Sequence, residues 1–140
     1  MEKVVLAFGS FDIIHPGHLY YLKKAKQYGN KLIVVVARDD SIRKLKNRKP
    51  VFNQKDRAVI VNSLKIVDNA VVGKKITNLS DRYEIFKKYK PNVVVFGHDQ
   101  KIDEKQLKAW LKKNKLNTKI VRINSFKRSF YSSSRIRKTL

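Results

Sequence analysis

The opening strand, turn and helix restrict this chain more than any other feature. Val4-Val5-Leu6-Ala7-Phe8 is an unbroken apolar run that stops at Gly9. Such a run suits a strand covered on both faces, the situation of strands in a parallel sheet. Ser10 to His18 follow, and Leu19-Tyr20-Tyr21-Leu22 then opens a helical pattern. Pro16 fits the first helical turn, where a missing N–H is harmless. Gly9 and Gly17 let backbone approach something closely. Parallel neighbours must be joined by crossovers, so a chain that begins this way is expected to alternate strands with helices.

It does so to its end. Strands are expected at Lys3–Gly9, Lys31–Ala37, Ala70–Val72, Val93–Phe96 and Thr118–Ile123. Helices are expected at Pro16–Tyr28, closed by Gly29, at Arg38–Lys46, at Gln54–Leu64 capped by Asn53, and at Glu104–Lys113. Another runs from a Ser80 cap to Tyr89 and is blocked by Pro91, and a last short one follows Ser132-Ser133-Ser134. The pattern predicts an α/β fold: a Rossmann-like, doubly wound, five-stranded parallel sheet in the order 3-2-1-4-5, with helices on both faces. Residues 1–140 are expected to form a single domain.

Ligands of such sheets bind at the carboxyl ends of the strands, where the order reverses. That places the turn after the first strand beside Gly97-His98-Asp99-Gln100 after the fourth. Both are Gly-containing turns followed by histidine. His15 and His18 are three residues apart on one helix face. They read as ordinary helix-start residues, as a metal pair, or as donors to an oxyanion. Zinc fits poorly, because there is no Cys and the third His is His98. A helix N-terminus with two imidazoles suits phosphate. Lys44, Lys46, Arg48 and Lys49 form either a solvated basic loop or a clamp over a triphosphate. Arg57 reads by default as a surface residue. Ser132 to Arg135 read as a helix cap or as phosphate ligands.

Charge agrees with an anionic ligand. Lys and Arg number 33 against 11 acidic residues, a formal net charge of +22. Nucleotides, phosphorylated metabolites, nucleic acid and acidic membranes are the partners such a surplus favours. The absence of Cys excludes disulfides and thiolate chemistry. No apolar run is long enough to span a bilayer, and a cytoplasmic protein is expected.

The segments Gly9-Ser10-Phe11-Asp12-Ile13-Ile14-His15-Pro16-Gly17-His18 and Tyr131-Ser132-Ser133-Ser134-Arg135-Ile136 resemble the two hallmark motifs of the cytidylyltransferase-type nucleotidyltransferases. Between them, Val36-Ala37-Arg38-Asp39, Lys44 to Pro50 and Gly97 to Gln100 look most like archaeal-type FAD synthases; glycerol-3-phosphate cytidylyltransferases are similar but more distant there. His98 stands where archaeal-type FAD synthases often carry Tyr, and their C-terminal cysteines have no counterpart.

The resemblance implies transfer of AMP or CMP from ATP or CTP to a phosphorylated acceptor, FMN foremost, with release of pyrophosphate. Mg²⁺ would be bound through the substrate phosphates, with no metal site of the protein's own. His15, His18 and Lys46 would be catalytic. Gly9, Ser10, Phe11, Gly17, Arg57, Gly97, Asp99, Ser133 and Ser134 would bind the nucleotide. A homodimer is implied. A glycerol-3-phosphate cytidylyltransferase is the nearer alternative. A basic nucleic-acid-binding protein on the same fold is the more distant one, although the lysines are spread along the chain rather than gathered in one segment.

Overall fold

A computed structural model describes residues 1–124, with the backbone alone at 79–80. The expected Ser132–Ser134 cap and terminal helix therefore lie outside the described residues. The elements run β1 (Val4–Gly9), α1 (Pro16–Lys26), β2 (Lys31–Val36), α2 (Asp39–Lys46), α3 (Gln54–Asn62), β3 (Asn69–Val72), α4 (Leu79–Tyr89), β4 (Val93–Gly97), α5 (Glu104–Lys113) and β5 (Lys119–Ile123). The strands form one parallel sheet in the order β3-β2-β1-β4-β5. This is the order expected from the sequence, with β1 at the centre.

Side chains alternate across a strand, so each strand supplies both layers. Val5, Ala7, Val34, Val36 and Val95 pack with Leu22 and Ala25 of α1 and Val61 of α3. Val4, Leu6, Ile33, Val94 and Phe96 pack on the other face with Tyr83 and Phe86 of α4 and Leu107 and Leu111 of α5. Burying each large apolar side chain contributes about 1.5–3 kcal/mol. On α5 the intervening Lys105, Lys108, Lys112 and Lys113 are exposed. The basic string is a solvated face over a core stripe.

Two helix ends differ from expectation. α4 is capped by Asn78, whose side chain accepts from the Asp81 amide, while Ser80 lies inside the helix. α1 stops at Lys26 with Gln27 as a right-handed cap, so Gly29 is not a left-handed terminator. Gly29 is needed for closeness instead. A Cβ there would stand 2.4 Å from the Lys3 carbonyl oxygen. Among the described residues no helix is long and apolar enough to cross a membrane.

The register explains where a site can form. β1 pairs with β2 as far as Gly9↔Val36, but with β4 only to Ala7↔Val95. Beyond that rung β1 and β4 part at their carboxyl ends, and the topological switch point opens there.

Candidate active site

The gap between β1 and β4 is filled by two side chains that take over the missing ladder bonds. The Tyr21 hydroxyl, from α1, donates to the Val95 carbonyl (2.7 Å) and accepts from the Phe8 amide (3.3 Å). Burial raises its pKa, so the phenol stays protonated and able to donate. The Gln100 carboxamide donates to the Phe8 carbonyl and accepts from the Gly97 amide, both at 2.7 Å. Arg122 of β5 donates to the Gly97 carbonyl (2.9 Å) and to the Gln100 carbonyl. Gly97 is thus held through both its backbone groups. Sequence reasoning gave Tyr21, Gln100 and Arg122 no part in bridging these backbone groups. The available signal was topological: a strand end at a switch point leaves backbone groups that something must satisfy.

The turn after β1 carries strain and fit together. Phe11 has φ 51°, the left-handed region, which is uncommon for an aromatic residue. Its ring is buried and lies beneath Gly9. A Cβ at Gly9 would come within 2.6 Å of that ring. The ring also sits 5.4 Å from His18 and 6.5 Å from Tyr21. Phe11 is therefore a packing side chain.

His15 and His18 are stacked, with ring centroids 3.9 Å apart. His15 is the N-cap of α1, and its Nδ1 accepts from the Gly17 amide at 3.1 Å. His18 Nδ1 accepts from the His15 amide at 3.2 Å. A nitrogen that accepts carries no hydrogen, so each neutral ring holds its proton on Nε2. The Gly17 amide, expected to serve a phosphate, is instead engaged by His15. At this helix entrance each imidazole carries its donor on Nε2.

Burial pushes the His18 pKa down to about 3, helped by His15 and by the positive charge of Lys46, while Asp99 opposes the shift. Burial also lowers His15. Both rings are neutral donors at neutral pH. The same electrostatics brings Lys46, at the end of α2, and Asp99, after β4, into the surroundings of His18. The structure thus gathers His15, His18, Lys46, Asp99 and Gly97 at the carboxyl edge of the sheet.

Arg57 is placed otherwise than expected. It is fully buried, and it does not present its guanidinium to a ligand. Nε donates to the Phe52 carbonyl (2.9 Å). Nη1 donates to the carbonyls of Ser10 (2.8 Å) and Ala37 (2.7 Å). Nη2 pairs with Asp39 at 2.6 Å. Arg57 holds the Ser10 turn from below. Asp12 was likewise overlooked as a functional group. It is buried, and it accepts from the amides of Val51 and Phe52, each at 2.9 Å. Ser133 and Ser134 lie outside the described residues. Among the described residues no group of three His, Cys, Asp or Glu side chains could hold a metal ion.

Stacked neutral donors at a helix entrance, a nearby ammonium and a Gly turn across the switch point are equipped to bind a polyphosphate and to stabilise charge on one of its phosphorus centres. Comparison with known proteins agrees. Residues 6–139 match the family model described as cytidylyltransferase-like. The chain is 47% identical over 127 residues to a protein named FAD synthase from Methanothermus fervidus, covering 89% of this chain and 84% of that protein. It is 45% identical over 119 residues to a FAD synthase from Methanohalophilus mahii, covering 85% and 80%. A crystal structure described as a lipopolysaccharide core biosynthesis protein from Thermoplasma volcanium superposes with TM-score 0.81 at 36% identity, over 90% of this chain and 99% of that one.

Proposed function

The chain belongs to the cytidylyltransferase-like family, and on that premise we propose that it is a nucleotidyltransferase that makes FAD by transferring AMP from ATP to FMN. One observation carries the reading: the pair of neutral imidazoles stacked at the entrance of α1, inside a chain 45% and 47% identical to proteins named FAD synthase.

A phosphate oxygen of FMN attacks the α-phosphorus in line. The bond from that phosphorus to the bridging oxygen breaks, and pyrophosphate leaves with the electron pair. The attacking phosphate is already anionic, so no general base is required. Charge grows on the non-bridging and leaving oxygens, and the Nε2–H groups of His15 and His18 donate to them. Being neutral beforehand, the rings need no deprotonated partner and bring no charge that a water-filled site would screen. Lys46 neutralises the triphosphate and the acceptor phosphate. Backbone groups of Ser10 and Phe11, with Gly9 close by, line the phosphates. Gly97 and Asp99 line the base and ribose. Ser133 and Ser134 are assigned to the β- and γ-phosphates. A divalent cation such as Mg²⁺ would be carried by the triphosphate oxygens and would neutralise charge on the leaving pyrophosphate. Catalysis is positioning and charge stabilisation.

The test pairs ATP or CTP with FMN or glycerol 3-phosphate in the presence of Mg²⁺ and follows pyrophosphate. Release is expected with ATP and FMN. Release confined to CTP and glycerol 3-phosphate would overturn the acceptor and the base, and no release in any pairing would overturn the enzyme reading. His18→Ala should lower turnover at least about 100-fold, the scale of losing one transition-state donor. A near-normal rate would remove His18 from the chemistry.

A further inference from the structure

Among the described residues only two charged residues are buried, Asp12 (4% exposed) and Arg57 (0%), and both hold the same stretch of chain. The stretch runs from the end of β2, through α2, to the start of α3. Its first foot is held by Arg57, which bonds the Ala37 carbonyl and the Asp39 carboxylate. Gln54 adds a bond from the Asp39 amide at 2.9 Å. Its second foot is held at Val51 and Phe52. Asp12 takes both amides, and Arg57 takes the Phe52 carbonyl.

Between the feet the chain is open. Ile42 is the last buried residue of α2. Leu45 is 84% exposed, and Arg43, Lys44, Lys46 and Lys49 are exposed with it. α2 stops at Lys46 because Asn47 turns left-handed, at φ 50°. Arg48 folds back, and its Nη1 lies 3.7 Å from Asp12, buried and without a hydrogen-bond partner. A buried carboxylate that accepts two amides and faces a cation is a strong fastening, because removing it leaves those groups unpaired. Asp12 also stands in the turn that leads to His15, so one residue connects the histidine turn to the basic arm.

We infer that Asp12 is a positioning residue for Lys46: by fastening the second foot of the arm to the histidine turn, while Arg57 fastens the first, it fixes where the Lys46 ammonium meets the phosphates. Its effect on rate rests on the proposed reaction, but its effect on the arm does not.

The experiment has two arms. In the first, trypsin cleavage after residues 43–48 is followed by mass spectrometry without substrate, with cleavage after Lys108 of α5 as the control for global opening. Asp12→Asn keeps the size but removes the charge and one acceptor. It should raise arm cleavage about tenfold while the control cut stays unchanged, and an unchanged arm cut overturns the inference. The second arm is a double-mutant cycle on turnover at saturating substrates. Asp12→Asn should lower the rate about tenfold in the native background and less than about twofold in a Lys46→Ala background, since residues acting through one group are not additive. A full Asp12→Asn loss in the Lys46→Ala background, or a Lys46→Ala variant with the native rate, overturns it. Should Asp12→Asn fail to fold, Arg48→Gln, which withdraws only the cation beside Asp12, enters the same cycle with a smaller loss that must again vanish beside Lys46→Ala. If the native protein makes no FAD, the reaction reading falls, and the trypsin arm still decides the inference.

Discussion

The turns after β1 and after β4 face one another across the switch point, yet they are held by different kinds of force. The β1 turn is fastened from beneath by Arg57 and anchored to the basic arm by Asp12, both withdrawn from water. The β4 turn is held by a neutral carboxamide, Gln100, and by Arg122, whose side chain keeps 34% of its surface exposed beside Glu104. Buried charges are costly to disturb because an abandoned partner has no water to turn to. Rim contacts exchange readily with solvent. The turn that carries the histidines is therefore the more firmly fastened of the two.

Substitutions that remove each fastening would break or sharpen this contrast. Arg57→Ala should lower the unfolding free energy by about 3–5 kcal/mol in urea melts, the scale of a broken buried charge network. A loss below about 1 kcal/mol would mean that the β1 turn is no more firmly held than its neighbour. Gln100→Ala leaves the Gly97 amide unpaired and the Phe8 carbonyl with the Tyr21 hydroxyl in place of two donors, and should cost about 1–3 kcal/mol in the same measurement.

His18 sharpens the β1 side through pH. Its folded pKa near 3 lies below its ordinary 6.5. Above about pH 6.5 both folded and unfolded chains hold a neutral ring, and His18 adds no pH dependence. As the pH falls lower, the unfolded chain takes up the proton first, so stability is lost at up to about 1.4 kcal/mol per pH unit. Between pH 7 and 5 the native protein should lose about 1–2 kcal/mol more than His18→Asn, which keeps an acceptor near Nδ1. Equal losses would show that burial does not hold the ring neutral. Smallest of all, Arg122→Ala should cost less than about 1 kcal/mol, as exposed ion pairs do, with nucleotide affinity the more sensitive readout.

Much of this architecture was legible in the residues. Unbroken Val-rich runs separated by capped helical stretches leave few alternatives to a doubly wound parallel sheet, and the strand order follows. His15, His18, Lys46 and Asp99 were identified, and they converge. Ser80 and Gly29 misled because each is a common cap residue lying two positions from the residue that caps the helix, Asn78 and Gln27 respectively. Arg57 looked like a surface residue because charge is normally solvated, although its place three and four residues before Ile60 and Val61 put it on the edge of a helix stripe that is buried at Val61. Asp12 could not be read for its role, since its partners Val51 and Phe52 are 39 and 40 residues away. Long-range pairing of that kind is a property of the fold and leaves no local pattern.

The contact between Gly9 and Phe11 has a consequence for variation. The aromatic ring occupies the volume that a side chain at position 9 would need, and the backbone at position 11 adopts a shape that glycine prefers. Bulk can in principle be traded between the two positions, but neither can change alone. Gly9→Ala by itself meets the ring, and Phe11→Gly by itself relieves the backbone but empties the space. A library randomised at both positions and selected for folding should return reciprocal sizes at 9 and 11, whereas libraries at either position alone should return the native residue.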